Sequence, residues 1–595
     1  MGGIVGRFMK SFGLTMAFAI GMSLLVSFTL TPMMSARWIR ARANGGGHGA
    51  PRRTSRDSWL FRPLDPGYTR LLQWALAHRG LVVLASVLVF VSTVPLVAFV
   101  NKTFMPMDDQ SEFEVSLRAR EGTSLESTQI IANRVATAVR ERFPEVAYTM
   151  VTVADDAART PNSSLVYVRL TDIERRARDQ FDIMDEVRRQ VLPQFSADRL
   201  RATVRQAGGG MGGAAIQFVI NGPDLNKLNQ YATSVADRAK GLPGVVDVDI
   251  TFNPGRPEVS VELDRAKAAD LGIQVAEAGE ALRLLVGGDR VTTYAEGDEQ
   301  YDVFLRAEAE NRSDASAIGR LTVPSGRLGG VPLENIARFS RGEAPTDIAR
   351  LQRERQVTVV ASILPGASQT PAMTAMQQAA AELHMSPDYR TRFAGQSREM
   401  ARAARNFLLA FLLSLAFMYM VLAAQFESWL HPVTILLALP LTLPFALIAI
   451  VLTGQSVNIM SALGLLVLFG VVKKNSILQI DHANQLLARG MPLREAVVRA
   501  SRDRLRPILM TTLAFVAGMI PLVISGGIGA GTNRAIGFVI IGGQSLVLVL
   551  TLVVTPVAYS LFDDASRLRL GARLRDGVLR VAGRRAPSQA PEADV

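Results

Sequence analysis

The run from Ile459 to Ile480, IMSALGLLVLFGVVKKNSILQI, constrains this chain more than any other stretch. It is long enough to cross a bilayer as a helix, which takes about 20 predominantly apolar residues. Lys473 and Lys474 nevertheless stand inside it, with Asn475 and Ser476 directly after. A cation at the bilayer centre costs roughly 2.5–3.5 kcal/mol on insertion scales, so it is expected to face protein or a water-filled cavity and to have a partner. Adjacent helical residues point about 100° apart, so the two ammonium groups do not share one inward face. The expectation is one buried, functional lysine, the other reaching the headgroups along its apolar stem. The alternative is that both lie near a helix end and reach outward.

Composition agrees with a membrane protein that has a large water-exposed part: 49% of the 595 residues are hydrophobic and the mean hydropathy is +0.20. The absence of cysteine excludes disulfides, thiol nucleophiles and thiolate metal sites. Five histidines argue against a His-rich metal site, and no cofactor is expected. The net charge of +12 and pI of 10.2 suggest nucleic acid at first sight. Arginines beside apolar spans account for that charge better, so no nucleic-acid partner is expected.

Seven spans are expected: Leu14–Met34, Leu81–Val100, Ala404–Ala424, Val433–Thr453, Ile459–Ile480, Pro507–Ile524 and Ile536–Phe562. Arg37, Arg40, Arg42, Arg52, Arg53 and Arg56 follow the first span, whereas only Arg7 and Lys10 precede it. The positive-inside rule places that downstream side in the cytoplasm and the N-terminus outside. The arginines from Arg489 to Arg506 and those of the tail from Arg567 then also fall inside. Translocating the start without a signal is awkward, so further polypeptide upstream is expected. Ala43–Ala50 reads as a linker, and Asp57–Arg79, which alternates aromatics with charges, as an interfacial helix.

Between the second and third spans the pattern repeats. Glu112–Arg120 alternates as a strand, and Ser124–Phe143 is helical, with Ser124, Glu126 and Ser127 at its start. Strands Val146–Ala154 and Ser164–Thr171, helix Asp179–Leu192 and strand Arg201–Gln206 complete a β-α-β-β-α-β order, the ferredoxin-like split βαβ unit. A second unit opens with strand Ala215–Asn221, helix Asp224–Leu242 and strand Val245–Phe252. It closes with strand Gln356–Leu364, helix Thr370–Met385 and strand Tyr389–Gly395. The stretch from Pro257 to Ile348 is an insertion, with strands Glu258–Asp264 and Tyr301–Leu305 and a helix at Val275–Val286.

Few motifs carry chemistry. Gly208–Gly213 (GGGMGG) lacks the Lys-Ser/Thr of a phosphate loop and lies between strands, so it reads as a hinge. Asp155–Asp156 and Asp108–Asp109 are candidate paired acids, although loop acids are usually just solvated. Most methionines lie in apolar spans as space-fillers. Thr511 and Thr512, entered from the cytoplasmic side, either bond back to their own helix or form a polar wall towards Lys474.

Five stretches carry a resemblance. They are LTPMMSA (Leu30–Ala36), MVLAAQFESW (Met420–Trp429), GVVKKNSILQI (Gly470–Ile480), RLRPILMTTLAF (Arg504–Phe515) and MIPLVIS (Met519–Ser525). In this order they resemble the resistance-nodulation-division (RND) efflux pumps of the hydrophobe/amphiphile branch, and the likeness covers essentially the whole chain. That family has twelve membrane helices and two large periplasmic loops; this chain resembles the second half plus the sixth helix. The resemblance implies that Lys474, directly before Asn475, is the lysine of the proton relay. It implies that Thr511 is the relay threonine and Arg504 a basic residue on the cytoplasmic side of that path. The relay's two aspartates have no match here, and Lys473 replaces a residue that is usually small. The loop Asp155–Ser164 stands where the family has a Phe/Gly-rich switch loop; it has neither residue, which suggests a different substrate range. Tyr167 stands for a pocket aromatic, with Asp155 and Asp156 beside it as pocket candidates.

The fold class expected is a membrane α-helical bundle of seven transmembrane helices plus an α+β periplasmic region of ferredoxin-like porter units and an inserted docking subdomain. The divisions are 1–36, first membrane helix; 37–80, cytoplasmic linker and interfacial helix; 81–100, second membrane helix; and 101–207, porter unit 1. Residues 208–256 and 349–403 form porter unit 2, interrupted by the docking insertion 257–348; 404–566 is a five-helix region and 567–595 a basic tail. What the resemblance implies is the C-terminal part of a proton-driven exporter of amphiphilic compounds in the bacterial inner membrane. Its partners would be protons, amphiphilic small molecules, a homo- or hetero-trimer, a periplasmic adaptor and an outer-membrane channel. The rivals are a truncated, non-transporting scaffold subunit and a metal-cation exporter of the same superfamily. An enzyme is the least favoured reading, because no nucleophile–base or metal constellation is present.

Overall fold

The computed structural model describes residues 3–38, 61–156, 159–198, 200–207, 214–252, 255–345 and 347–567. The linker at 43–50, the GGGMGG hinge at 208–213 and the basic tail beyond 567 lie outside the described residues. The chain opens with helices α1 (Gly3–Phe28) and α2 (Leu30–Trp38). Pro32 cannot donate to Phe28, but the bonds from Thr29 to Leu25 and from Met33 to Thr29 carry the helix across. Helix α3 (Phe61–Ala77) lies within the expected interfacial segment. It buries Leu72, Ala75 and Leu76, and Tyr68 donates to the Leu552 carbonyl at 2.9 Å. Helices α4 (Arg79–Val91) and α5 (Thr93–Phe99) follow, nearly continuous across Ser92.

The next region begins with strand β1 (Glu112–Arg118), helix α6 (Leu125–Arg142), strands β2 (Val146–Val153) and β3 (Ser163–Leu170), helix α7 (Gln180–Glu186) and strand β4 (Arg201–Gln206). Alternation along β1 sends Phe113, Val115 and Leu117 inward. Ser124 caps α6 by accepting from the Ser127 amide, and Ala132, Val135, Ala136 and Val139 form its buried stripe. The strands pair antiparallel in the order β2-β3-β1-β4, and both helices cover one face. The helix expected at 179–192 is α-helical only to Glu186. It widens into a π-turn over Val187–Val191 ahead of Pro193, which has no N–H to continue the ladder.

A second sheet holds strand β5 (Ile216–Gly222), helix α8 (Leu225–Lys240) and strand β6 (Val245–Ile250). Asp224 caps α8 through the amides of Asn226 and Lys227. The chain then leaves as strand β7 (Arg256–Leu263), helices α9 (Arg265–Asp270) and α10 (Val275–Leu282), and strands β8 (Asp289–Glu296) and β9 (Glu299–Leu305). It continues as helix α11 (Ala315–Arg320) and strands β10 (Thr322–Ser325), β11 (Gly329–Pro332) and β12 (Ala337–Ala344). This excursion has its own apolar core around Ala278, Val331, Leu333 and Ile336, while β8 and β9 form an exposed hairpin. The chain returns with β13 (Arg350–Leu351), β14 (Glu354–Ile363), helix α12 (Gln369–Glu382) and β15 (Arg390–Phe393). β14 lies between β5 and β6, and β5 pairs with β15. Residues 216–250 and 354–393 therefore share one sheet. Its order β6-β14-β5-β15 repeats that of the first sheet when strands are counted within each unit.

Helix α13 (Gly395–Phe426) continues directly from β15, and Ser397 donates to the Ala215 carbonyl at 3.0 Å. Then come α14 (Leu430–Leu436), α15 (Thr442–Leu452), α16 (Ile459–Ala488), α17 (Leu493–Ile524) and α18 (Ala530–Arg567). Among the described residues six helical stretches are long and apolar enough to cross a membrane: Val5–Trp38, Arg79–Phe99, Gly395–Phe426, Ile459–Ala488, Leu493–Ile524 and Ala530–Asp564. The span expected at Val433–Thr453 is instead broken into α14 and α15. Pro440 and Pro444 remove two helix donors, and the amides of Leu439 and Thr442 bond three residues back in a tighter turn.

Candidate functional site

Two places in this fold gather the residues singled out from sequence. The first is the middle of α16. Asn458 starts that helix with a capping box: its side chain accepts from the Met460 and Ser461 amides, and Ser461 Oγ accepts from the Asn458 amide at 2.7 Å. The buried stripe of the helix then runs through Leu468, Val472, Ser476, Gln479 and Ala483. Lys474 is about 160° around the helix from both Val472 and Ser476, and Lys473 about 60° from Ser476. Lys473 is accordingly half-buried and Lys474 exposed. The described helices cover the opposite side of α16, so Lys474, the lysine singled out as functional, projects from their outer face and Lys473 is the more covered of the two.

Thr511 is also exposed, and its hydroxyl bonds back to the Ile508 carbonyl at 3.2 Å. Thr512, its neighbour, is the buried one. Arg504 is half-buried, with its Nε buried and without a hydrogen-bond partner. Beside it Asp503 pairs with His482 at 3.5 Å. Among the described residues no ion pair or hydrogen bond joins Lys474 to Thr511 or to Arg504. The structure also shows buried polar groups that the sequence reading passed over. Ser476 and Thr555 hydroxyls lie 2.9 Å apart, and the Tyr559 hydroxyl donates to Asn484 at 2.5 Å. The available signal was the recurrence of polar residues on α18 at Thr551, Thr555 and Tyr559, four apart.

The second place is a cleft of about 870 Å³ between the two sheets. Asp155 and Asp156 both line it. Asp155 accepts from Ser163 Oγ at 2.6 Å, and Asp156 accepts from the Thr160 amide at 2.6 Å and faces Arg118 at 3.8 Å. Arg201 and Asp249 approach to 3.5 Å from opposite sheets. The rest of the lining is mostly hydroxyls and charges, with Leu117, Ile250 and Val360 as its apolar members and no aromatic ring. Tyr167 is not brought into it. Its hydroxyl donates to Glu112 at 2.5 Å and its ring leans on Tyr148. Burial and the Glu112 carboxylate hold its phenol at about 12. Asp108 and Asp109 are also apart from the cleft. Asp109 pairs with the buried Arg176 and accepts the Gln180 amide, while Asp108 accepts the Gly531 amide at 3.0 Å, tying the first sheet to the start of α18. No group of three or more His, Cys, Asp or Glu side chains able to hold a metal occurs among the described residues.

Residues 1–563 match the family described as AcrB/AcrD/AcrF. The chain is 30% identical over 566 residues to the multidrug resistance protein MdtC of Yersinia pestis bv. Antiqua (strain Angola). The match covers 95% of this chain and 54% of that protein. The MdtC protein of Yersinia pseudotuberculosis serotype O:1b (strain IP 31758) matches with the same identity and coverage. Among solved structures, a heavy metal efflux pump in crystal form II superposes with a TM-score of 0.75 at 27% identity, covering 85% of this chain and 53% of the other. Crystal form I of such a pump gives 0.74 at 27% identity, covering 85% and 52%. The chain therefore belongs to the AcrB/AcrD/AcrF family of RND transporters and is a multipass membrane protein. It spans about half the length of the curated relatives it matches.

Proposed function

We propose that this chain is the C-terminal part of a proton-driven inner-membrane exporter of amphiphilic compounds. The observation that carries the reading is Lys474: a cation exposed in the middle of a membrane-length helix, on the face that the described helices leave open. An ammonium facing lipid at that depth is costly, so further polypeptide covers it, and a carboxylate there pairs with it. Protonation of the carboxylate weakens the pair and lets the helices shift. Thr511 and Arg504 line the same route. The first and second sheets act as ferredoxin-like porter units outside the membrane, and the excursion from β7 to β12 as the docking insertion. Seven crossings result if α14 and α15 together count as one, with the N-terminus in the periplasm. A trimer, a periplasmic adaptor and an outer-membrane channel complete the assembly, and the cleft holding Asp155 and Asp156 takes the polar end of the substrate.

The heavy metal pumps with this fold favour a second reading, metal-cation export. The cleft's hydroxyls and carboxylates, with no methionine or histidine among them, support the amphiphile instead. The deciding experiment uses a complete pump containing this chain, assayed for export of amphiphilic cations and of copper or silver ions. Lys474→Ala is expected to abolish export of amphiphiles at unchanged protein level, and Lys473→Ala to be mild. Equal loss from both substitutions would refute the assignment of the relay lysine, and export confined to metal ions would refute the substrate class.

A further inference from the structure

Strand β4 closes one edge of the first sheet and β6 one edge of the second, and the two strands lie against each other. Open edges readily pair, because each carries a row of unsatisfied amides and carbonyls. Pairing here would weld the two units into one continuous sheet. Among the described residues no backbone hydrogen bond joins β4 to β6. Side chains stand between them instead. Arg188 donates through Nη2 to the Val204 carbonyl of β4 at 2.6 Å, and through Nε to Asp247 of β6 at 3.0 Å. The Val204 amide faces the same Asp247 carboxylate. Both polar groups of Val204 are thus met by an ion pair rather than by a neighbouring strand.

Both members of the pair sit at backbone irregularities. Arg188 lies in the π-turn Val187–Val191 that ends α7. Asp247 has a φ of 54°, the left-handed conformation that few L residues other than Asn and Asp adopt. The ladder between β6 and β14 slips at the same place. Val360 pairs with Asp249 but Ser362 with Val246, so Asp247 and Val248 together stand against Ala361. Such a bulge re-aims a side chain, and this one brings the Asp247 carboxylate to the other sheet. The pair is well covered, with the Arg188 and Asp247 side chains 14% and 7% exposed. Burial pushes the Asp247 carboxyl up, against the pull of Arg188 beside it. Apolar packing or a strand ladder would hold two fixed sheets together without that desolvation. A contact made of side chains alone does what neither can: it yields at one point while both ladders stay intact.

The pair stands beside the cleft that holds Asp155 and Asp156. Asp249, two residues or about 7 Å further along β6, reaches Arg201 of β4 at 3.5 Å, and both line that cleft. We propose that Arg188 and Asp247 are the joint between the two sheets. They set the opening of the cleft and let it change, which makes them positioning residues for the passage of substrate. Their part in export rests on the transport reading above; the joint itself does not.

The chain contains no cysteine, so introduced ones report without background. Spin labels on Glu141→Cys and Thr233→Cys, exposed on α6 and α8, measure the distance between the units in the full chain. Arg188→Gln removes one charge of the pair. Asp247→Asn removes the other and keeps a residue that tolerates the left-handed backbone. Each is expected to broaden the distance distribution about twofold, because the buried contact between the sheets is broken. Arg188→Lys keeps the charge and is expected to broaden it less. Widths unchanged in both charge-removing variants overturn the proposal. Should one of them fail to accumulate, the other decides alone, since each breaks the pair from a different unit. In a complete pump containing this chain, both are expected to lower turnover several-fold at equal protein level. The half-saturating substrate concentration is expected to stay unchanged, and Arg188→Lys to recover part of the turnover. Undiminished turnover overturns the part in export. A pump with the parent chain that exports no amphiphile would instead sink the transport reading while leaving the spin-label result standing.

Discussion

Tyr167 shows how much one side chain's position depends on its neighbours. It sits on the open face of β3, where its hydroxyl reaches Glu112 and its ring meets Tyr148. Burial first, and the adjacent carboxylate second, raise its phenol from 10.0 to about 12. The fold thus favours the protonated phenol. Its contribution to stability is fully present below about pH 10 and is lost as pH rises through about 12. Absorbance titration of phenolate in the parent and in Tyr167→Phe is expected to differ by one transition at the high end. Superimposable curves would show that Tyr167 is not the raised group.

Element by element, the membrane helices depend on their starts and on close approach. Asn458 satisfies two otherwise orphaned amides of α16 while buried. Asn458→Ala is expected to cost about 1 kcal/mol, read as a lower thermal midpoint in detergent. Gly542 and Gly543 let α18 approach its neighbours. A Cβ at 542 would stand 2.2 Å from Ala449 Cβ, and one at 543 would stand 2.3 Å from Leu468 Cδ2. The leucine tip can turn away; the alanine methyl cannot, so α15 and α18 must part. Gly542→Ala is expected to destabilise by about 1–3 kcal/mol, and Gly543→Ala by clearly less. Equal melting of the two variants would contradict this packing.

For the whole molecule, the arrangement across the membrane is the property to test. By the positive-inside rule the arginines after the first span lead us to propose residue 35 in the cytoplasm and the region from β1 to β15 in the periplasm. Ser35 is exposed in α2, and the hairpin of β8 and β9 offers an exposed position at Thr293. Ser163 is unsuited to labelling, being buried and bonded to Asp155. In intact cells an impermeant thiol reagent is expected to modify Thr293→Cys and to miss Ser35→Cys. The reverse pattern would invert the topology.

Local pattern was enough for much of this chain. Long apolar runs produce helices whatever surrounds them, because a backbone in lipid must satisfy its own hydrogen bonds. Period-two alternation places Phe113, Val115 and Leu117 on one face of β1. The break between α14 and α15 was missed, with Val433–Thr453 expected as one span, although Pro440 and Pro444 stand in the sequence. Covered faces were not legible in this way. Whether Lys473 or Lys474 turns towards protein depends on where α17 and α18 pack against α16, and those contacts join residues some 30 to 80 positions apart. Asp155 and Asp156 line a cleft, while Tyr167 does not, being engaged instead with Glu112 and Tyr148. Helix and strand periods are set by each residue and its near neighbours; burial is set by whatever the rest of the chain brings alongside. The sequence by itself determined most of the long apolar helices, the alternating strands and the clustering of arginines beside the apolar runs. Only the tertiary structure decided which polar groups lie inside, among them Gln479, Thr512 and Gln544.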